Sequence, residues 1–176
     1  MIIFVSNVVI MKTYQNKLIS SLVQEPELYY GLNSKYDKMI SILGGSSNIN
    51  QTINSDLDLI TISRKGLPKS VVVTISYLLG ISMEKMSDLI HVSHRTIQRK
   101  KPEDLLNSYS TEQILEIAEV ISKGIEVFSS LDDFTKWLHQ DIRHLNYQKP
   151  LDYLDTSFGT KMVLDILGRI AYGVYS

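Results

Sequence analysis

The sequence predicts an all-α protein in which a helix-turn-helix module is followed by a small C-terminal helical domain. Three stretches carry that prediction. Residues 81–101, ISMEKMSDLIHVSHRTIQRKK, read as two short capped helices around a tight link; residues 111–128 are the longest amphipathic run; a second such run goes from a cap within 155–157 to about Ala171. Charge is segregated along the same divisions. Residues 64–101 hold eight Lys/Arg and two Asp/Glu (+6), residues 1–63 four and five (−1), and residues 102–176 six and twelve (−6). A near-neutral chain with a basic middle and an acidic end suggests an anionic partner for one part and a different partner for the other. The expected division is an N-terminal segment 1–63, a helix-turn-helix region 64–109 and a helical domain 110–176.

A 44% apolar composition suffices for a core, and the absence of cysteine excludes disulfides, thiolate metal sites and thiol chemistry. No run approaches the roughly 20 apolar residues of a membrane span. A cytoplasmic protein without membrane association is the expectation.

Residues 1–11, MIIFVSNVVIM, are apolar and β-branched. A strand and a translation start at Met11 both fit. A signal peptide fits less well, because no charge precedes the run and no small-residue cleavage site closely follows it. Residues 14–23 read as a helix ended by Glu25-Pro26, and residues 36–43 as another ended by Gly44-Gly45. Residues 46–56 are polar and loop-like, and LDLITIS at 57–63 reads as a short strand or extended connector.

After the Gly66-Leu67-Pro68 break, residues 69–79 form a helix whose Val and Ile content demands tertiary support, and Gly80 ends it. It is expected beneath the helix-turn-helix pair. Ser82 caps the first helix of that pair, with Met86, Leu89 and Ile90 on one face. Ser93 caps the second, from His94 to about Lys101, and Pro102 stops it. That second helix carries Arg95, Gln98, Arg99, Lys100 and Lys101, no acid, and one clear apolar anchor, Ile97. A solvated hairpin would look similar. However, Arg, Gln, Ser and Thr are the residue types that reach base edges, and here they occupy the first turns of a helix of the shape that enters the major groove.

Ser110-Thr111-Glu112-Gln113 matches a capping box for the helix 111–128. Ile114, Ala118, Ile121, Ile125 and Phe128 trace one stripe on it; Ile117, Val120, Gly124 and Val127 trace a neighbouring one. Such width suits either burial against a second subunit, hence a homodimer, or the central helix of a monomer. Ser130 to Asp133 cap a helix with Phe134, Trp137 and Leu138 inward. Pro150 starts a short one at its tolerated first position. The last helix, capped within 155–157, buries Met162, Val163, Ile166, Leu167 and Ile170, and carries Asp165, Arg169 and Tyr172 on another face. His139 and His144 flank a helix end without metal-ligand spacing, and no phosphate loop, nucleophile elbow or carboxylate pair is present. The expectation is therefore no catalytic residue, no metal and no cofactor.

Residues 67–176 resemble the Xre/MbcA/ParS-like antitoxins, partners of RES-domain toxins. The motifs that carry the resemblance are, in order, Ser93-His94-Arg95-Thr96-Ile97-Gln98-Arg99; Ala118-Glu119-Val120 leading to Glu126-Val127-Phe128; Trp137-Leu138; and Pro150 to Thr156 with Gly159 and Leu167 to Val174. Where that family usually has glycines before the Pro of the last motif, Asn146 and Tyr147 stand here. The resemblance implies an all-helical homodimer with an Xre-like helix-turn-helix that binds its own operator DNA and neutralises a cognate RES-domain toxin, an NAD-degrading enzyme. A stand-alone transcription regulator is the alternative. The DNA-facing residues are then Ser93, His94, Arg95, Thr96, Gln98, Arg99 and Lys100, and the toxin-facing ones are Arg169, Tyr172, Gly173, Val174 and Tyr175. Asp165, four residues before Arg169, also permits a plain surface ion pair.

Overall fold

The computed structural model describes residues 34–174 of the chain. The readings for residues 1–11 and 14–23, and for Tyr175, fall outside that range. The fold is all-α. In the described residues the elements are α1 (Lys35–Ile42), α2 (Ser46–Ile49), α3 (Asp56–Lys65), α4 (Lys69–Leu78), α5 (Met83–Leu89), α6 (His94–Arg99), α7 (Ser108–Phe128), α8 (Leu131–Leu138), two short 3-10 turns (Arg143–Leu145 and Pro150–Tyr153) and α9 (Ser157–Ala171).

The 21-residue α7 is the beam of the fold, with α1, α3, α4, α8 and α9 packed around it. Both of its apolar stripes are used inside the chain: Ile114, Ala118, Ile121 and Ile125 are buried, and so are Ile117, Val120 and Gly124. Its width therefore belongs to a central helix and supplies no separate ground for a homodimer. The helix also begins earlier than the Ser110 box suggests. Asn107 is the cap, its Oδ1 accepting from the Ser110 amide at 2.8 Å. Asn caps as well as Ser, which frees the two buried hydroxyls for tertiary bonds. Ser110 donates to the Ile90 carbonyl at 2.8 Å, and Thr111 Oγ1 accepts from the Leu67 amide at 3.1 Å.

The stretch 57–63 is helical, not extended. Ser55 Oγ accepts from the Asp58 amide at 3.3 Å, while Asp58 Oδ2 accepts from the Asn54 amide at 3.0 Å and from Ser55 Oγ at 2.9 Å. This reciprocal cap places Asp56 and Asp58 in the first turn and Arg64 and Lys65 in the last, each at the pole of the helix dipole that favours it. The Asn54 amide, then the Ser55 hydroxyl, hold the Asp58 carboxyl below the ordinary aspartate range. Within the polar stretch 46–56 the chain makes the single turn α2, with Ile49 and Ile53 buried.

Around Gly124 the close approach of two elements leaves no room for a side chain. A Cβ there would overlap the Phe134 ring. Phe134 is fully buried beside Phe128 and Trp137, with ring centroids 6.4 and 6.1 Å away. Trp137 itself is half-buried at the edge of the core.

Candidate functional site

Two surfaces stand on this core. The first is α6. α4 packs against α5, the first helix of the pair, with Val71, Val72 and Ile75 fully buried, and Ile97 (1% exposed) plugs α6 onto the core. The link between α5 and α6 turns at His91, whose φ of 55° is left-handed without a glycine. Its ring is held from two sides: Nε2 donates to the Asp155 carbonyl at 2.6 Å, and Tyr109 lies 5.4 Å away, centroid to centroid. Ser93 caps α6, Oγ accepting from the Thr96 amide at 3.1 Å and lying 2.7 Å from Thr96 Oγ1.

Outward from Ile97, Arg95 and Arg99 form one exposed i, i+4 row. His94 and Gln98 form the adjacent row, the Gln98 amide donating to His94 Nε2 at 3.3 Å. The helix ends at Arg99, earlier than the sequence suggests. Lys100 is already extended, with ψ of 141°. Lys101, the residue that precedes Pro102, is the one the proline keeps from the helical region, and its amide donates to Asp104 Oδ2 at 2.8 Å. The Lys100 ammonium donates to the Leu105 carbonyl at 2.8 Å, so it braces the loop. Lys101 lies beyond the helix.

The second surface is α9. Thr156 caps it, Oγ1 accepting from the Gly159 amide at 3.1 Å, and Gly159, Thr160, Val163 and Leu167 are buried toward α7. Met162 is a correction: it is 46% exposed, and Ile166 and Ile170 are only half-buried. The helix lies rotated from the expected register: Gly159 sits tight against the Tyr153 carbonyl, Thr160 is buried, and Met162 faces outward. Arg169, Tyr172, Gly173 and Val174 are exposed, and Asp165 and Arg169 make no ion pair with one another. Phe158, which the sequence did not single out, is 90% exposed. Its signal was available: at i−4 from Met162 it lies on the face of Arg169 and Tyr172 rather than on that of Val163 and Leu167. His144 borders the same face, across a shallow groove. His139 is structural, Nε2 donating to the Leu79 carbonyl at 2.8 Å.

The model of the antitoxin Xre-like helix-turn-helix domain matches residues 58–119, and that of the antitoxin Xre/MbcA/ParS C-terminal toxin-binding domain matches residues 123–173. The chain belongs to the Xre/MbcA/ParS antitoxin family. Members of this family are non-enzymatic regulatory proteins. Antitoxin Xre of Photorhabdus laumondii subsp. laumondii is 30% identical over 67 residues, 38% of this chain and 45% of that protein, so the match spans less than half of that relative. The M. tuberculosis MbcT-MbcA toxin-antitoxin complex contains a chain 23% identical to this one, with a TM-score of 0.45 over 61% of this chain and 96% of that one. α6 lies within the first matched domain of this Xre/MbcA/ParS chain and α9 within the second.

The Asn146-Tyr147 pair takes a backbone that ordinarily favours glycine. Both residues are left-handed, with φ of 53° and 58°. Asn tolerates this region, whereas for Tyr it is a strained conformation. The turn is closed by the Tyr147 amide donating to the Ile142 carbonyl at 3.0 Å.

Proposed function

We propose that this chain neutralises a RES-domain, NAD-degrading toxin through its C-terminal surface and represses its own operon by binding operator DNA through α6. The observation that carries the reading is the presence of two separate outward surfaces on one core: an acid-free helix with an i, i+4 pair of arginines and, on the other, a matched toxin-binding domain ending in exposed Arg169, Tyr172 and Gly173. In this reading Arg95 and Arg99 reach base edges or phosphates, His94, Thr96 and Gln98 contribute base contacts, and Ser93 and Lys100 hold the helix and loop in position. The toxin meets Arg169 and the chain end, where the exposed Tyr172 can bury much area and lose few rotamers.

The test is co-expression with the product of the neighbouring gene. Pull-down of a RES-domain protein and a maintained cellular NAD level are expected, and deletion of residues 172–176 should reduce that protection while leaving operator binding intact. Arg95→Ala or Arg99→Ala should weaken a promoter gel shift by roughly 1–3 kcal/mol per lost bidentate base contact. A full chain that shifts its promoter but captures no toxin and leaves NAD unprotected would instead make it a stand-alone regulator.

A further inference from the structure

α9 carries more than the chain end. Phe158, Met162, Asp165, Arg169 and Tyr172 stand at i, i+4, i+7, i+11 and i+14, so they share one face of the helix. The stripe is about 21 Å long at 1.5 Å per residue. Its two apolar members in the helix are 90% and 46% exposed, and Tyr172 is 86% exposed. Single exposed apolar side chains are ordinary on protein surfaces. A Phe, a Met and a Tyr in line on the side opposite a helix's buried face are not scattered, and the arrangement has the spacing of a helix that lies in a groove.

We propose that Phe158 and Met162 are the apolar anchors by which this helix docks into a groove of the toxin, with Arg169 and Tyr172 continuing the same contact toward the chain end. The proposal rests on the antitoxin reading above and adds Phe158 and Met162 to the toxin-facing residues. Charge indicates the chemistry of the groove. The C-terminal part of the chain is acidic, yet beside this stripe stand Lys161 and Arg169 against Asp165 alone. Asp165 and Arg169 stand in the order that favours an ion pair within the helix, but they leave each other unpaired. The groove that fits has an apolar floor for a phenyl ring and a thioether, and carboxylates on the rim facing Lys161 and Arg169. A second copy of this chain fits less well. Antiparallel pairing of two such stripes, Phe158 opposite Tyr172, sets Asp165 against its own copy, and like charges at the centre of a two-fold contact repel.

The experiment uses the full chain and the RES-domain product of the neighbouring gene, with binding read by calorimetry and folding by thermal melts. Phe158→Ala should weaken toxin binding about 30-fold, the loss of a hot-spot aromatic of about 2 kcal/mol at 1.4 kcal/mol per tenfold. Met162→Ala should weaken it several-fold. Both should melt within a degree or two of wild type, because neither side chain supports the core, and both should leave the promoter shift unchanged. If wild type binds the toxin and both variants bind it within twofold of wild type, the stripe is not the docking surface and the antitoxin reading survives. If wild type sediments as a dimer that Phe158→Ala dissociates, a second copy covers the stripe and the proposal is overturned. If wild type binds no RES-domain protein at all, both readings fall together.

Discussion

Replacing Gly124 by alanine tests the central packing directly. The added methyl group would overlap the Phe134 ring, whose Cγ would lie 2.6 Å from it. The ring has nowhere to go: it is fully buried, with Phe128 and Trp137 beside it. Forcing a methyl into a filled core costs about 1–3 kcal/mol. Alanine regains about 0.5–1 kcal/mol as the better helix former. The expected net loss is therefore about 1–2 kcal/mol, a fall in Tm of roughly 2–8 °C for a chain of this size. Urea unfolding followed by circular dichroism measures it, and sedimentation of the same samples should show no change in association state. Phe134→Leu should relieve part of the clash, so the double variant is expected to be more stable than the sum of the single losses by about 1 kcal/mol. A Gly124→Ala protein as stable as wild type that changes its oligomeric state would refute the reasoning, because Gly124 would then face a second subunit rather than Phe134.

Thr160 Oγ1 is buried without a hydrogen-bond partner among the described residues, and Glu116 Oε2 shares that condition. Thr160→Val keeps the shape and removes the unpaired hydroxyl, so a gain of about 1 kcal/mol in urea unfolding is expected; a loss of that size would mean that the hydroxyl is hydrogen-bonded in solution. Asp58 has its carboxyl pKa lowered by the Asn54 amide and the Ser55 hydroxyl, and a lowered folded-state pKa contributes stability above the unfolded value that disappears as pH falls through the folded one. Asp58→Asn should accordingly flatten the acid limb of the stability–pH curve. Parallel acid limbs for wild type and variant would show that the cap contributes nothing.

Where an element announces itself through a cap and a strong apolar period, sequence and structure agree. Ser82, Ser93 and Ser130 cap as read, Ile97 plugs α6, and the long helix α7 is where periodicity places it. Three other features were illegible for identifiable reasons. In α3 the alternation of Leu57, Leu59 and Thr61 with Asp58 and Ile60 mimics a strand, and Leu57 (73% exposed) and Ile60 (45%) dilute the helical period. What decides for helix is the Ser55–Asp58 cap, a signal that lies at the edge of the stretch. In α7 the Ser110 box was a true match in type, but tertiary partners claim both hydroxyls. In α9 hydrophobicity alone put Met162 with Val163 and Leu167. The rotation that turns it outward comes from Gly159, where a Cβ would overlap the Tyr153 carbonyl oxygen. A close contact between a short turn and the helix that follows it leaves no mark in hydrophobic periodicity. The exposure of Arg95, Arg99, Arg169 and Tyr172 is legible because charge and chain-end position mark them, whereas that of Phe158 is not, because an apolar residue next to a cap is ordinarily taken for core.

The two matched domains abut at residues 120–122, inside α7, where Val120, Ile121 and Ser122 are all buried. No hinge separates them, and one continuous set of buried side chains runs from Met39 to Leu167. The consequence concerns lifetime rather than shape. A protease that opens this chain at any point of the shared core disables both matched domains in the same event. On the proposed reading, promoter silencing and toxin restraint then decay with a single half-life, and a cell that degrades the protein derepresses the operon at the moment it unleashes the toxin.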